Sequence, residues 1–418
     1  MSNSVSSRSG AHRVLILSTT AFTLLFAVWL MLGVLAIPIK KELGLSAVQF
    51  TWLTAIAVLS GSLFRLPFGV LADRVGGKRL MVAMLLWTAI PCFLMSRVQS
   101  FSEAMILAFL FGIAGNSFSV GIAWNAAWFP REQQGAALGT FGAGNVGASV
   151  TKLFGPKLML LVPATGALGG LLPGGWRAIP VLYSVLLVVM AIALFVLAPK
   201  QDRVPGQGRA LATMTKPLSQ VRVWRFGLYY VVVFGAYVAL SMWLPAYYTR
   251  VYQVSLATAA FFTAAFIFPA SLLRPLGGYL SDKFGGRVVT YFVFVSMTLI
   301  SLVLCLPASL LPLPVFFVAT LLLGIGMGVG KASVYKYVPE YYPKDVGLVG
   351  GLVGTLGALG GFLLPLGFGY SEELLGRPEV CFYLMTGVTV LSLAWLHATV
   401  RSLTGAEQAE LSMPAAAE

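Results

Sequence analysis

Apolar residues in this chain fall in long blocks. They do not alternate as in a half-buried strand or form one-sided stripes as in a surface helix. Twelve blocks stand out, at roughly 14–38, 48–71, 80–96, 104–128, 135–160, 178–198, 224–247, 257–280, 288–311, 313–339, 346–369 and 380–400. About 20 apolar residues span a bilayer core as a helix, and lipid accepts a backbone only when its polar groups are paired within the segment. The pattern therefore predicts an all-α integral membrane protein with twelve transmembrane helices. The first block follows Arg8 and Arg13 and lacks a clear small-residue cleavage site, so it reads as a span rather than a removable signal.

The longest polar connection, Pro199 to Arg222, falls at mid-chain and is basic, with proline and glycine. It predicts an N-terminal six-helix bundle over 1–198, a cytoplasmic linker over 199–223, a C-terminal six-helix bundle over 224–400 and a cytoplasmic tail over 401–418. The halves echo each other. FRLPFGVLADRVGGKR (Phe64–Arg79) matches LRPLGGYLSDKFGGR (Leu273–Arg287), with Arg65 and Arg274 half a chain length apart. Pro130-Arg131-Glu132 likewise matches Pro343-Lys344-Asp345, and Gly135, Gly139 and Gly142 match Gly347, Gly351 and Gly354. A parallel repeat of this kind describes a transporter with its substrate site between the halves at the membrane midplane.

Composition narrows the class further. Of 418 residues, 58% are hydrophobic and 10% charged, against about 25% charged in soluble domains. A soluble enzyme or regulator is excluded. The net charge of +14 has its origin in the loops. With both termini in the cytoplasm, inner loops carry more than twice the lysine and arginine of outer ones, as the positive-inside bias requires. No basic run interleaved with aromatics suggests nucleic acid. Cys92, Cys305 and Cys381 lie in apolar blocks without metal-like spacing, and His12 and His397 sit near opposite ends. No metal centre, cofactor motif or catalytic triad is visible, so the chain does not read as an enzyme.

Charges inside the spans are the chemical clue, because each costs at least about 2.5–3.5 kcal/mol at mid-bilayer. Arg65 and Arg274 occupy matching depths in the second and eighth spans, and every carboxylate falls in a loop, at a span end or in the tail. Two arginines without a counter-ion make an anion site, since the guanidinium stays charged and donates in a planar fork. Taken singly, each could instead cap backbone carbonyls or snorkel. Lys152 in the fifth span and Lys331 in the tenth add to the positive field, and either could line the path or snorkel. Lys336 stands four residues before Glu340, the spacing of a local helical ion pair. Glycine-rich stretches in the fifth and eleventh spans permit close helix approach, and Asn145 within the first offers an amide to an oxyanion.

The loop pattern G-x-x-x-D-[RK]-x-G-x-[KR], present at Gly69–Lys78 and Gly278–Arg287, resembles the motif of the major facilitator superfamily. That resemblance implies two pseudo-symmetric six-helix bundles, with Asp73, Arg74, Asp282 and Lys283 as a charge latch. GTFGAGNVGAS in the fifth span, GTLGALGGF in the eleventh, GNSFSVGIAWNAAWFP in the fourth and the paired arginines together resemble the nitrate/nitrite porter family. The resemblance implies Arg65 and Arg274 as the anion clamp, Phe26, Phe118, Tyr230 and Phe234 as aromatic walls, and Asn145 as the amide contact. The GAGNVGAS form and GKASVYKYVPEYYP look more like the family's proton-coupled nitrate importers than its nitrate/nitrite exchangers. This implies nitrate/proton symport, with Lys152, Lys331, Lys336 or Glu340 as candidate proton carriers, nitrite as a further substrate, and a monomer in a bacterial cytoplasmic membrane. The residue inventory itself leans towards exchange, which needs no proton site. A facilitator for another small anion stays open.

Overall fold

The computed structural model describes residues 2–163, 165–167, 172–204, 219–342 and 346–412. The side chains of 2–8, 73, 131, 132, 134–136, 339, 346–348 and 403–412 are not described. Most of the expected linker and the end of the expected tail therefore lie outside the described residues, as do Pro343, Lys344 and Asp345 of the second repeat.

Among the described residues there are eighteen α-helices, several of which join end to end into longer columns. α1 (Ser2–Trp29) leads into α2 (Leu32–Leu43), and α3 (Ala47–Leu63) into α4 (Arg65–Val75). α5 (Gly77–Met95) stands alone, and α6 (Phe101–Gly112) leads into α7 (Ser117–Trp128). α8 (Arg131–Gly142) leads into α9 (Gly147–Leu161), and α10 (Ala178–Leu197) follows. In the second half α11 (Val221–Tyr230) leads into α12 (Ala236–Val251), and α13 (Leu256–Leu272) into α14 (Arg274–Phe284). α15 (Gly286–Leu304), α16 (Leu313–Tyr341), α17 (Val346–Leu375) and α18 (Val380–Ser412) complete the chain. Among the described residues, ten helical stretches are long and apolar enough to cross a membrane, and α13 with α14, bent by 41°, makes an eleventh if the pair is one span. The expected span at 135–160 is not among them. It is helical as α8 and α9, but Lys152 and Lys157 interrupt its apolar character.

The columns break at recurring places. A 3₁₀ turn separates α6 from α7 (Ile113–Asn116) and α8 from α9 (Ala143–Val146), and a π turn (Val231–Gly235) separates α11 from α12. Such irregular turns mark hinges and functional positions. The breaks before α4 and α14 are the same structure twice: Phe64 has φ −93 and ψ 6, Leu273 has φ −86 and ψ 5, and an arginine begins the next helix in each. The loops that end these helices also match. Gly76 (φ +91) and Gly285 (φ +85) take a backbone conformation that side-chain-bearing residues avoid.

Helices α1–α10 pack among themselves through pairs such as α5 with α10 and α3 with α6, and α11–α18 through α15 with α16 and α13 with α16. The halves meet where α2 packs on α12, α3 and α4 on α17, α8 on α14, and α9 on α13. Leu160, Leu161, Ile192, Phe195, Val196, Phe292 and Leu299 are exposed on the outside, an apolar jacket suited to lipid. The buried polar residues, Arg65, Asn145, Lys152, Arg274 and Lys331 among them, lie in the interior.

Candidate functional site

The break before α4 places Arg65 at the start of a helix, buried to 1% exposure. Its Nε donates to the carbonyl of Gly61 at 3.0 Å, which fixes the side chain's base. Nη1 and Nη2 are buried with no hydrogen-bond partner among the described residues. Three aromatic faces surround the guanidinium: Phe234 at 5.0 Å, Trp29 at 5.4 Å and Phe118 at 5.6 Å from ring centroid to Cζ. Arg274 starts α14 in the same way and is 8% exposed, and its Nη1 is likewise buried and unpartnered. Its Cζ lies 5.5 Å from the centroid of the same Phe118 ring. One ring thus faces both guanidinium groups.

Glycines of the opposite half border each arginine. A Cβ on Gly142 of α8 would lie 3.1 Å from Arg274 Nη1, and one on Gly354 of α17 would lie 4.0 Å from Arg65 Nη1. Gly142 and Gly354 are matching positions of the internal repeat, so each half presents bare backbone to the other half's arginine. Three residues after Gly142, on the same helical face, comes Asn145. Its Nδ2 and Oδ1 are both buried and unpartnered. The Tyr230 hydroxyl, also buried, lies in the field of both arginines and within reach of the Arg274 side chain, and its ring stacks on Phe234 at 5.0 Å.

The structure therefore brings together six of the seven expected binding residues. Phe26 stands apart: its ring packs edge-on against Phe22 at 5.4 Å and Trp29 at 5.1 Å, and it is Trp29, three residues on, that covers Arg65. Tyr335 and Tyr237 escaped the sequence reading. The Tyr335 hydroxyl donates to the carbonyl of Gly350 at 2.7 Å beside Gly354. The Tyr237 hydroxyl reaches the backbone carbonyl of Asn145 at 3.3 Å and Ser271 Oγ at 3.1 Å, joining the halves at the depth of the site. A signal for Tyr237 existed, because Tyr230, Phe234 and Tyr237 are spaced along one helical face.

The proposed proton carriers separate. Lys152 is buried and donates to the carbonyl of Leu30 at 3.3 Å, in the gap between α1 and α2. Lys331 is buried, donates to the carbonyl of Ala270 at 2.8 Å, and lies over the Tyr237 ring at 3.1 Å from its centroid. Lys336 is elsewhere: it is partly exposed and pairs with Asp282 of α14, not with Glu340. Helical spacing allowed the Glu340 pairing, but packing of α14 on α16 offered a better partner. Glu340 is exposed at the end of α16, so neither Lys336 nor Glu340 lies beside the arginines.

The expected charge latch is present in part. Asp282 holds α16 through Lys336, while Lys283 covers the ring of Phe284 at 5.2 Å. The side chain of Asp73 lies outside the described set, and Arg74 is exposed. In this half Asp202, which the sequence reading overlooked, ties the loop. Its carboxylate accepts from the Lys78 backbone N–H at 2.9 Å, Trp124 Nε1 at 2.9 Å and Trp128 Nε1 at 3.2 Å. Lys78 Nζ in turn caps α10 through the carbonyls of Ala198 and Pro199.

A cleft of about 350 Å³ opens at the end of the molecule where α2, α3, α12 and α17 meet, lined by Lys40, Phe50, Thr51, Trp243 and Arg250 among others. Neither Arg65 nor Arg274 lines it. Its floor is tight, since a Cβ on Gly369 would lie 2.3 Å from Thr51 Oγ1, and beside it Trp52 Nε1 donates to Tyr370 at 3.0 Å across the two halves.

The family model of the Major Facilitator Superfamily matches residues 17–365 and 250–411. A probable nitrate/nitrite antiporter NarK1 from Thermus thermophilus is 56% identical over 415 residues, covering 96% of this chain and 94% of the relative. The chain belongs to the nitrate/nitrite porter family of the major facilitator superfamily. A nitrite extrusion protein from Bacillus subtilis (strain 168) is 29% identical over 95% of this chain and 97% of its own length. Among solved structures, a bacterial homologue of the human lysosomal transporter Spinster, inward-facing and occupied, aligns with a TM-score of 0.74 over 93% of this chain and 96% of its own, at 18% identity. This is a likeness of fold. Members of this porter family are transporters, and the chain is a multi-pass transporter rather than an enzyme.

Proposed function

We propose that this transporter exchanges nitrate for nitrite by alternating access, with the anion held between Arg65 and Arg274. One observation carries the reading: a buried set of hydrogen-bond donors lacks acceptors, namely both terminal nitrogens of Arg65, Nη1 of Arg274, the Asn145 amide and the Tyr230 hydroxyl. Buried polar atoms in proteins are usually paired; isolated atoms such as Thr88 Oγ1 and Trp243 Nε1 also lack partners here, but this set gathers two guanidinium groups over one ring. A small planar oxyanion supplies acceptors in the plane of each guanidinium fork, and aromatic faces suit its flat surfaces. Nitrate and nitrite both fit this description, and a relative 56% identical bears the name of a nitrate/nitrite antiporter.

Charge accounts for exchange. Enclosing an uncompensated cation costs several kcal/mol, and the site holds at least two. Closing the halves over one bound anion lowers that cost in both directions of the cycle, so each crossing favours a loaded site. Trading one monovalent anion for another also moves no net charge against a membrane potential worth about 2.3 kcal/mol per 100 mV. The symport expected from the sequence stands as a second reading, favoured by Lys152 and Lys331, each buried and bonded to a backbone carbonyl.

Nitrate uptake into proteoliposomes separates the two. Exchange requires nitrite inside and is indifferent to an inward proton gradient. Proton-driven uptake into nitrite-free vesicles overturns exchange in favour of symport. No uptake in either condition removes nitrate as the substrate.

A further inference from the structure

The two helix breaks are built alike but finished differently. Gly61-Ser62-Leu63-Phe64-Arg65 and Ala270-Ser271-Leu272-Leu273-Arg274 correspond residue by residue. Gly61 and Ala270 each lie in the last turn before a break, where an ending helix leaves carbonyls short of intrahelical donors. In the first half Arg65 itself takes the carbonyl, through Nε at 3.0 Å. In the second half the equivalent carbonyl of Ala270 is taken at 2.8 Å by Lys331, from a different helix.

We propose that Lys331 is a positioning residue for the Arg274 side of the anion site. By occupying the Ala270 carbonyl, Lys331 keeps Arg274 from folding back onto it as Arg65 folds back onto Gly61. The Arg274 guanidinium is thereby left to extend towards Gly142 of the opposite half, where its Nη1 is unpartnered. Lys331 also lies against Tyr237, whose hydroxyl bonds Ser271 on the same break and the backbone carbonyl of Asn145. One ammonium thus braces both the break beneath Arg274 and the tyrosine that ties the halves together. One arginine is thus anchored at its base by a carbonyl of the turn before it, and the other is not.

This inference rests on the arginine pair being an anion site, and the test keeps the two apart. Nitrate counterflow is measured in proteoliposomes for the native chain, Lys331→Met and Lys331→Arg, with thermal unfolding of each purified protein as a control. Lys331→Met releases the Ala270 carbonyl to Arg274, and KM for nitrate rises about tenfold, the loss of one charge-assisted hydrogen bond, with the maximal rate changed less. Lys331→Arg keeps a donor within reach and restores most of the affinity. If Lys331→Met folds and leaves KM unchanged, or if Lys331→Arg is as impaired as Lys331→Met, the positioning role is overturned. If Lys331→Met does not fold, Lys331→Arg decides alone: a folded variant with a tenfold higher KM overturns the role, and a KM near native supports it. Absence of counterflow in the native chain instead overturns the anion-site reading.

Discussion

Arg65→Lys isolates the fork of the guanidinium from its charge. The three ring faces around Arg65, at 5.0–5.6 Å, accept an ammonium as well as a guanidinium, so much of the cation–π stabilisation survives. The hydrogen bonds do not. Arg65 uses Nε on Gly61 and keeps Nη1 and Nη2 for a ligand, whereas a single lysine nitrogen must serve both the Gly61 carbonyl and the anion. Losing one charge-assisted hydrogen bond costs about 1.5–3 kcal/mol, which is about tenfold to over a hundredfold in affinity. The assay is nitrate/nitrite exchange in proteoliposomes, with KM and maximal rate determined separately. The expected result is a KM raised at least tenfold in Arg65→Lys and no measurable exchange in Arg65→Gln, which loses the charge as well. An Arg65→Lys protein with a KM within threefold of native refutes the argument that the fork holds the anion.

Two further substitutions probe the surroundings. Gly142→Ala places a Cβ 3.1 Å from Arg274 Nη1; the buried guanidinium must shift, at a cost of about 1 kcal/mol at the low end for overpacking, so KM rises about fivefold while the amount of folded protein is kept, as read by size-exclusion chromatography. Asp282→Asn removes the ion pair with Lys336, whose side chains are 64% and 39% exposed. Exposed pairs contribute about 0–1 kcal/mol, so exchange stays within about twofold of native, and loss of transport in this variant would show that Lys336 belongs to the path after all.

The family assignment and the major facilitator fold were legible in the order of residues because each rests on local pattern. Apolar blocks of membrane length specify helices wherever the solvent is lipid, and a repeat half the chain long specifies two related halves. Arg65 and Arg274 could be singled out from sequence alone, because a charge inside an apolar block is costly in any fold. What a lone charge touches is a different matter, decided by which helices lie alongside it. Lys336 took Asp282 on another column over Glu340 on its own, and Trp29 rather than Phe26 came to cover Arg65, a difference of three residues and most of a helical turn. Asp202, in a polar connection without periodicity, joined the Lys78 loop to two tryptophans only once α5, α7 and α10 had packed together. The same holds at the centre of the site. Gly61 and Ala270 stand at matching positions in both halves, yet one carbonyl is taken by its own arginine and the other by a lysine from α16, because hydrogen bonds between columns depend on packing distances that the sequence of either column does not contain.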